Sequence, residues 1–439
     1  MSNPWKNELE HAAADVLYTL EQAGYEAVIV GGYVRDRMLG RAGQDIDMAT
    51  SALPEQVMRL FPRTAPTGLQ HGTVTVISGS FTFEVTTYRK ESEYEEYRRP
   101  GKVEFVSDLH EDLRRRDFTM NAMAMDARAK LIDPWGGMDD LKAKVLRCVG
   151  DADARFQEDA LRMLRCVRFA ASYALEISAD TWTALRKHRA LLTHIARERV
   201  RAELDRTVEG PDPDRGVDLL QASGLLQHVK GGLPLAPLFT AAAEAAPPAA
   251  PGEAGRLARV QPAWLRWAQL LLLAGRTQAE AEPLLRALTF PNGKAGAVSK
   301  VLGVSERLQQ QGFGRGAWVQ AALRFGREPL EGWLALAGAD PAAAGGERGA
   351  REREAFTELT ANGLSWLDEL PVAKLSGLAL SGGELMQAWN RRGGPWTGQV
   401  LASLLEDAAF GRVPNEREAL LLRAERYRED TMNHERTDT

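Results

Sequence analysis

YEAVIVGGYVRDRMLGRAGQDIDMAT, residues 25–50, is the stretch that decides how this chain is read. A β-branched apolar run ends at Gly31-Gly32, a short Arg-Asp segment follows, and the chain returns as D-I-D-M-A-T. The pattern predicts a strand, a turn opening a helix, then a second strand. A Gly-Gly turn at a helix start lets backbone N–H groups approach phosphate oxygens, so Gly32 is a candidate phosphate contact. Arg35 stands where a guanidinium adds a fork of charge-assisted donors to a triphosphate. Asp45 and Asp47 lie two apart in an extended run, so both carboxylates share one face and Ile46 takes the other. Such a pair suits two magnesium ions that also bind substrate phosphates. An isolated D-x-D also reads as two polar residues on a solvated strand face.

Outward from this stretch, residues 1–150 alternate short β-branched runs with turn residues. GTVTVISG (72–79) and FTFEVTTYR (81–89) read as strands, LPEQVMRLF (53–61) as a helix with Pro54 near its start, and about 7–23 as an N-terminal helix. Glu84, in FEVTTYR, points away from Phe81 and Phe83. It is a candidate third carboxylate or an edge charge. After Gly150 the period becomes helical through 159–175, 180–195 and 196–208, and strand signals nearly vanish. Two Ala/Pro/Gly-rich stretches, 241–255 and 337–350, read as connections. The fold class is therefore α+β: a head with a mixed sheet and an all-α remainder. The 439 residues suffice for about three domains of roughly 150 residues each.

Composition narrows the function. A formal charge of −5 does not suit a generic nucleic-acid binder, so any such role rests on locally placed arginines. Two cysteines, Cys148 and Cys166, without a C-x-x-C pair exclude a disulfide scaffold and a thiolate zinc site. The seven histidines show no zincin spacing. No secretory signal and no membrane-length apolar run is visible, so no membrane partner is expected and the cytoplasm is the expected location.

Two further segments carry chemistry. In RRRDFTMNAMAMD (114–126), Arg116 is a candidate phosphate or sugar contact, Asp117 either holds that arginine or caps a helix, and Asn121 suits a sugar. In EDALRMLRCVR (158–168), Asp159, Arg162, Arg165 and Arg168 recur every three residues along one drifting helix face, with Leu161, Leu164 and Val167 as the buried stripe. An ordinary amphipathic helix explains this pattern. So does base selection. Cytosine and adenine both present an exocyclic amine beside a ring-nitrogen acceptor. Asp159 accepts from the amine and Arg162 donates to the nitrogen, whereas guanine and uracil present the reverse. Glu158 is placed to orient Arg162, leaving Arg165 and Arg168 for the triphosphate or the primer end.

GGYVRD, DIDMAT, LPEQVMRLFPRTAPTGLQHGTVTV, FEVTTYR, YRRP, RRDFTMNAMAMD, DPWGGMDDL and RFQEDALRMLRCVRFA, in that order, resemble the class II bacterial tRNA nucleotidyltransferases. These are the CCA-adding enzyme and poly(A) polymerase family of the DNA polymerase β-like nucleotidyltransferase superfamily. The likeness is dense over about 22–210 and returns at 389–421. It implies a polymerase β-like head (1–150), a base-selecting helical neck (151–225), a helical body (226–350) and a tRNA-binding helical tail (351–439), the last three elongated. By the same resemblance Asp45 and Asp47 bind Mg2+, and Gly32, Arg35, Arg116, Asp159, Arg162, Arg165 and Arg168 bind the nucleotide. The partners implied are tRNA, CTP and ATP, with no obligate protein partner. Arg391, Arg392 and Trp396 in the tail suit phosphate contact and stacking, although a packed tryptophan is the simpler reading of Trp396. The segment YRKESEYEEYRRPGKVEF (88–105) is full length, which argues against an enzyme confined to CC addition, and its mixed charge suits a mobile lid that trades salt bridges. An A-adding specialist, a poly(A) polymerase and an inactive RNA-binding protein are the alternatives.

Overall fold

A computed structural model describes residues 5–43, 45–95, 99–230, 255–345 and 349–435, and for 91–103 and 429–435 it describes the backbone alone. The chain divides into two compact units, Met1–Ala254 and Gly255–Thr439.

The first unit begins with α1 (Glu8–Gln22), whose first turn is capped by the Asn7 side chain accepting from the N–H of Glu10. Its Val16, Leu17 and Leu20 are buried. Then come β1 (Ala27–Val30), α2 (Gly32–Met38), β2 (Asp47–Thr50), α3 (Pro54–Leu60), β3 (Thr64–Gly68), β4 (Thr73–Ser78) and β5 (Phe81–Thr87). They are followed by β6 (Arg89–Glu95), β7 (Arg99–Phe105), α4 (Leu109–Arg114), β8 (Ala124–Met125), β9 (Leu131–Ile132) and α5 (Gly137–Lys142). Among the described residues, seven strands form one mixed sheet in the order β3-β4-β5-β2-β1-β8-β9.

Register in the middle of this sheet creates the site. Antiparallel pairing sets Val30 opposite Asp47, so the Gly31-Gly32 turn leaves β1 beside the start of β2. Parallel pairing sets Asp47 opposite Glu84 of β5. The expected alternation is present: Asp45 and Asp47 are exposed while Ile46 and Met48 are buried, and Glu84 is exposed between buried Phe83 and Val85. Regular strand pairing starts only at Asp47, so Asp45 precedes the strand rather than lying within it.

The segment expected to be a loop over 88–105 is instead an antiparallel hairpin, β6–β7, with register from Arg89 opposite Phe105 to Glu95 opposite Arg99. Val103 and Phe105 alternate in β7 and Tyr94 stands in β6, residues of high strand propensity in an otherwise polar hairpin. Its tip and the mixed charges expected to trade salt bridges lie outside the residues whose side chains are described.

The rest of the first unit contains β10 (Val145–Leu146), α6 (Ala152–Glu158), α7 (Leu161–Tyr173), β11 (Glu176–Ile177), α8 (Ala179–His188), α9 (Arg197–Val208) and α10 (Pro213–Ser223). The two-residue strands β10 and β11 pair in parallel, a contact too short to read from periodicity. One sequence reading needs correction here. Asp159 is not on the helix that carries Arg162, Arg165 and Arg168. The chain breaks between α6 and α7, with Asp159 extended at φ −140°. Its side chain accepts from the N–H of Leu161, two residues on, an aspartate turn that competes with helix continuation. Leu161, Leu164 and Val167 are buried as expected, and α7 packs on α9 and α10.

The second unit comprises α11 (Leu265–Leu273), α12 (Gln278–Ala287), α13 (Asn292–Gln311), α14 (Arg315–Phe325), α15 (Arg327–Ala339), α16 (Ala350–Asp368), α17 (Gly382–Ala388), α18 (Pro395–Ala409) and α19 (Arg417–Glu435). Trp318 and Trp333 lie fully buried beside Phe313 and Phe356, and the Trp318 indole N–H donates to the carbonyl of Gly363 at 2.9 Å. Trp396 is packed, 4% exposed and stacked on Trp389 with centroids 5.0 Å apart, so it is a core residue of this unit rather than an open stacking platform. Of the two connections, 241–255 lies outside the described residues except for Gly255, and 337–350 joins α15 to α16 within the second unit.

Gly137, at the start of α5, has no room for a side chain. A Cβ there would stand 2.3 Å from the carbonyl oxygen of Thr119, in the segment that carries Asp117 and Asn121. Gly137→Ala therefore overpacks this junction, and chemical denaturation should show a loss of about 1–3 kcal/mol.

Candidate active site

A cavity of about 490 Å³ lies between the head sheet and α7. Of the residues singled out from sequence as chemical, Gly32, Arg35, Asp47, Arg116, Asp117, Asn121, Asp159, Arg162 and Arg165 line it. Asp45 and Glu84 do not, although both stand close enough to Asp47 to influence its charge. Arg168 does not line it either. Its guanidinium is bound to Glu203 of α9 at 2.6 Å and lies over the Phe169 ring at 4.0 Å, so in this structure it is turned to α9, whereas the triphosphate or the primer end was expected.

The acidic edge comes from the sheet. The Asp47 carboxyl is raised above its ordinary value, chiefly by desolvation, then by Glu84 and to a smaller degree by Asp45, against a lowering by Arg116. Three acidic side chains thus crowd one sheet edge, and a bound cation would relieve them. All their donors are carboxylate oxygens, the type magnesium takes. Among the described residues no three acidic, histidine or cysteine side chains form a closed metal cage.

The opposite wall is cationic, and its guanidinium groups have carboxylate partners. Arg165 is bound to Asp117 through Nε at 2.8 Å and Nη2 at 2.7 Å. Asp117 therefore holds Arg165, not Arg116 as its position in the sequence suggested, and it also accepts from the Asn121 amide at 3.0 Å. Burial alone would raise the Asp117 carboxyl, but Arg165, Asn121 and Arg162 outweigh it and hold it at about 2. Arg162 donates to Glu158 at 2.6 Å, as expected, and to the carbonyl of Arg115 at 2.9 Å. Asp159 is bound by Arg199 of α9 at 2.9 Å. Arg162 and Asp159 thus face one cavity from α7 and from the break before it, each steadied by an oppositely charged partner.

Arg35 differs from its expected role. Its Nε and Nη2 donate to Asp36 at 3.0 Å and its Nη1 to Asn121 at 2.6 Å, while its guanidinium lies over the Tyr173 ring at 4.3 Å. Its fork already has acceptors, so in this structure it braces the wall. Asn121 bridges Arg35 and Asp117 rather than standing free for a sugar.

Sequence reasoning missed Arg115, Arg199 and Phe169, all of which line the cavity. Arg199 sits among Arg197 and Arg201 in α9, and no pattern in ARERVR marks which of the three faces α7. Phe169 reads as core, yet its ring supports Arg165 and Arg168.

Similarity to known proteins agrees with this geometry. Residues 27–147 match the family described as Poly A polymerase head domain, 174–234 that of a probable RNA and SrmB-binding site of polymerase A, and 259–424 that of a putative tRNA nucleotidyltransferase domain 2. The CCA-adding enzyme of Geobacillus sp. (strain WCH70) is 38% identical over 409 residues, covering 93% of this chain and 95% of the relative. That of Lactiplantibacillus plantarum is 35% identical over 432 residues, covering 96% and 97%. The crystal structure of the Bacillus stearothermophilus CCA-adding enzyme with CTP superimposes with a TM-score of 0.77 at 32% identity, covering 98% of this chain and all of that one.

The Asp117–Arg165 pair carries a pH prediction. The folded carboxyl titrates near 2 against 3.8 ordinarily, so its stabilisation is fully present above about pH 4 and is lost as pH falls toward 2. Asp117→Asn should cost on the order of 2 kcal/mol at neutral pH, and denaturation midpoints of variant and parent should converge on acidification through that window.

Proposed function

The chain belongs to the family of CCA-adding tRNA nucleotidyltransferases, and from that premise we propose that it adds C, C and A to the 3′ end of tRNA from CTP and ATP, releasing pyrophosphate. The tRNA 3′-hydroxyl oxygen bonds to the α-phosphorus, the bond to the β-phosphate oxygen breaks, and the hydroxyl proton leaves with the base or solvent. The observation that carries this reading is one cavity with an acidic sheet edge at Asp47 and an Asp159/Arg162 pair on its other wall.

Asp45 and Asp47 would hold magnesium, the family's metal, with Glu84 beside them. When bound it would lower the charge barrier between hydroxyl and triphosphate. The chain's own residues supply the rest. Arg116 and Arg165 give the cavity a positive wall for the phosphates. Asp159 accepts from the exocyclic amine of cytosine or adenine, and Arg162 donates to the adjacent ring nitrogen. Guanine and uracil would oppose acceptor to acceptor and donor to donor, leaving buried groups unpaired at about 1–3 kcal/mol per bidentate pair. Selection thus needs no nucleic-acid template. Glu158 and Arg199 keep the reading pair in place before a nucleotide arrives.

We assign nucleotidyl transfer to residues 1–150, base reading to 151–225, a connecting body to 226–350 and tRNA contact to the tail, 351–439. No described helix is long and apolar enough to cross a membrane, and the free buried cysteines Cys148 and Cys166 accord with work on tRNA in the cytoplasm. The β6–β7 hairpin keeps its length, which favours the complete activity over CC addition alone.

Primer extension tests the reading. Transcripts lacking CCA, ending in C and ending in CC each receive single nucleotides with magnesium. Growth of the bare transcript to full CCA with CTP and ATP is expected, with UTP and GTP refused. Extension of the CC-ended transcript alone would assign an A-adding specialist, equal activity on unstructured RNA a poly(A) polymerase, and no extension an RNA-binding protein. Asp47→Asn should lower the rate at least about 10²–10³-fold while leaving tRNA binding intact.

A further inference from the structure

Asp112 is a buried carboxylate that the reaction above does not use. It is 1% exposed and lies in the six-residue α4. Its Oδ1 accepts from Arg115 at 3.0 Å (Nε) and 2.9 Å (Nη2), and from the backbone N–H of Arg89 at 3.3 Å. Its Oδ2 accepts from Arg116 Nη2 at 3.4 Å. Arg115 and Arg116 follow it by three and four residues just past the end of α4, which is why one carboxylate reaches both. Both arginines line the cavity, and Arg89 is the first residue of β6. One carboxylate therefore joins the root of the hairpin to two guanidinium groups at the nucleotide cavity.

Arg116 is the least satisfied of the cavity cations. Its bonds to Asp112 and to the Asn121 carbonyl are long, 3.4 and 3.5 Å, and its buried Nε has no partner. It stands against the glycine turn after β1, where a Cβ on Gly31 would lie 3.1 Å from its Nη1. Arg35, by contrast, has acceptors for every nitrogen of its fork. A buried guanidinium with donor capacity left over suits an anionic ligand, and without one it needs a counter-charge to stay in place. Arg162, Arg165 and Arg199 each have a carboxylate, in Glu158, Asp117 and Asp159. Asp112 pairs with both Arg115 and Arg116.

We propose that Asp112 is a positioning residue for the incoming nucleotide: it holds Arg116, and with it Arg115, in the cavity wall and fastens both to the root of the β6–β7 hairpin. This rests on the nucleotidyltransferase reading. Asp112 touches no substrate and acts through Arg116. Burial opposes its ionisation, but Arg115 and Arg116 outweigh that and hold its carboxyl below the ordinary value, so it is charged at neutral pH.

The test measures CTP and ATP binding by equilibrium dialysis, which needs no turnover, beside tRNA binding by filter retention. The full chain is compared with Asp112→Asn, Arg116→Ala and the double variant. Asp112→Asn should weaken CTP and ATP about tenfold and leave tRNA affinity within about threefold, the loss of one charge-assisted contact. In the Arg116→Ala background the same substitution should change nucleotide affinity by less than about threefold, because its route is gone. A full tenfold loss in that background, or a loss in tRNA binding instead, would show a merely structural role and overturn the proposal. Should Asp112→Asn fail to fold, Arg116→Ala is read alone: nucleotide affinity should fall about tenfold with tRNA affinity within about threefold, and an unchanged nucleotide affinity would overturn the proposal, because Asp112 would then have no route to the nucleotide. Primer extension by the unaltered chain, run in parallel, tests the function separately.

Discussion

The ion pair between Asp117 and Arg165 is the constraint on which the cavity depends. Asp117 belongs to the segment that follows α4 and packs under α5, while Arg165 comes from α7. Their two short bonds join the sheet-bearing head to the helix carrying Arg162. A buried carboxylate is costly unless its oxygens are satisfied, and here Arg165, Asn121 and the N–H of Phe118 do so. Because the pair is built from both sides, the space between them has a fixed width and two chemically different walls.

The same economy governs the other charges. A cavity lined by Arg35, Arg115, Arg116, Arg162, Arg165 and Arg199 would repel itself if those groups stood alone. Arg162, Arg165 and Arg199 each meet an acid from another segment, Arg115 and Arg116 share Asp112 one turn earlier, and Arg35 binds its neighbour Asp36, so the matching fixes geometry as well as charge. Glu158 and Asp159 are adjacent in sequence yet serve different arginines, because the chain breaks between α6 and α7 and turns their side chains apart. That break lets an aspartate and an arginine approach a base edge from different directions instead of along one helix face. The acidic edge is treated in the opposite way. Asp45, Asp47 and Glu84 are left near one another at β2 and β5, and desolvation, with Glu84 and Asp45 adding to it, raises the Asp47 carboxyl. One wall thus has its arginines held in place by carboxylates, and the other gathers acids that suit a cation.

Much of this was legible in the residues. The continuous β-branched run in YEAVIV marks a strand buried on both faces, and alternation in FTFEVTT marks one whose faces differ, because period two separates a buried face from an open one. The D-I-D spacing marks a shared face for the same reason. Glu158 as the partner of Arg162 follows from their separation of four residues. Other features leave no local trace. The break at Asp159 involves neither glycine nor proline, and the aspartate turn that makes it looks in sequence like one more helical polar residue. The choice of Arg165 over Arg116 as the partner of Asp117 spans 48 positions and is set by how α7 lies against the head.

By itself, then, the sequence determined the strand–glycine turn–strand core, the acidic pair, the helical remainder and the residue types needed for nucleotide chemistry. These rest on local periodicity and side-chain chemistry, which act over a few residues. Only the tertiary structure decided which arginine meets which carboxylate, why Arg35 and Arg168 are braced elsewhere while Arg116 keeps donors to offer, and that Arg115 and Arg199 belong to the cavity. Those outcomes depend on sheet register and on the packing of α7 against α9, where distances are set by elements far apart in the chain and by the cost of leaving any buried charge alone.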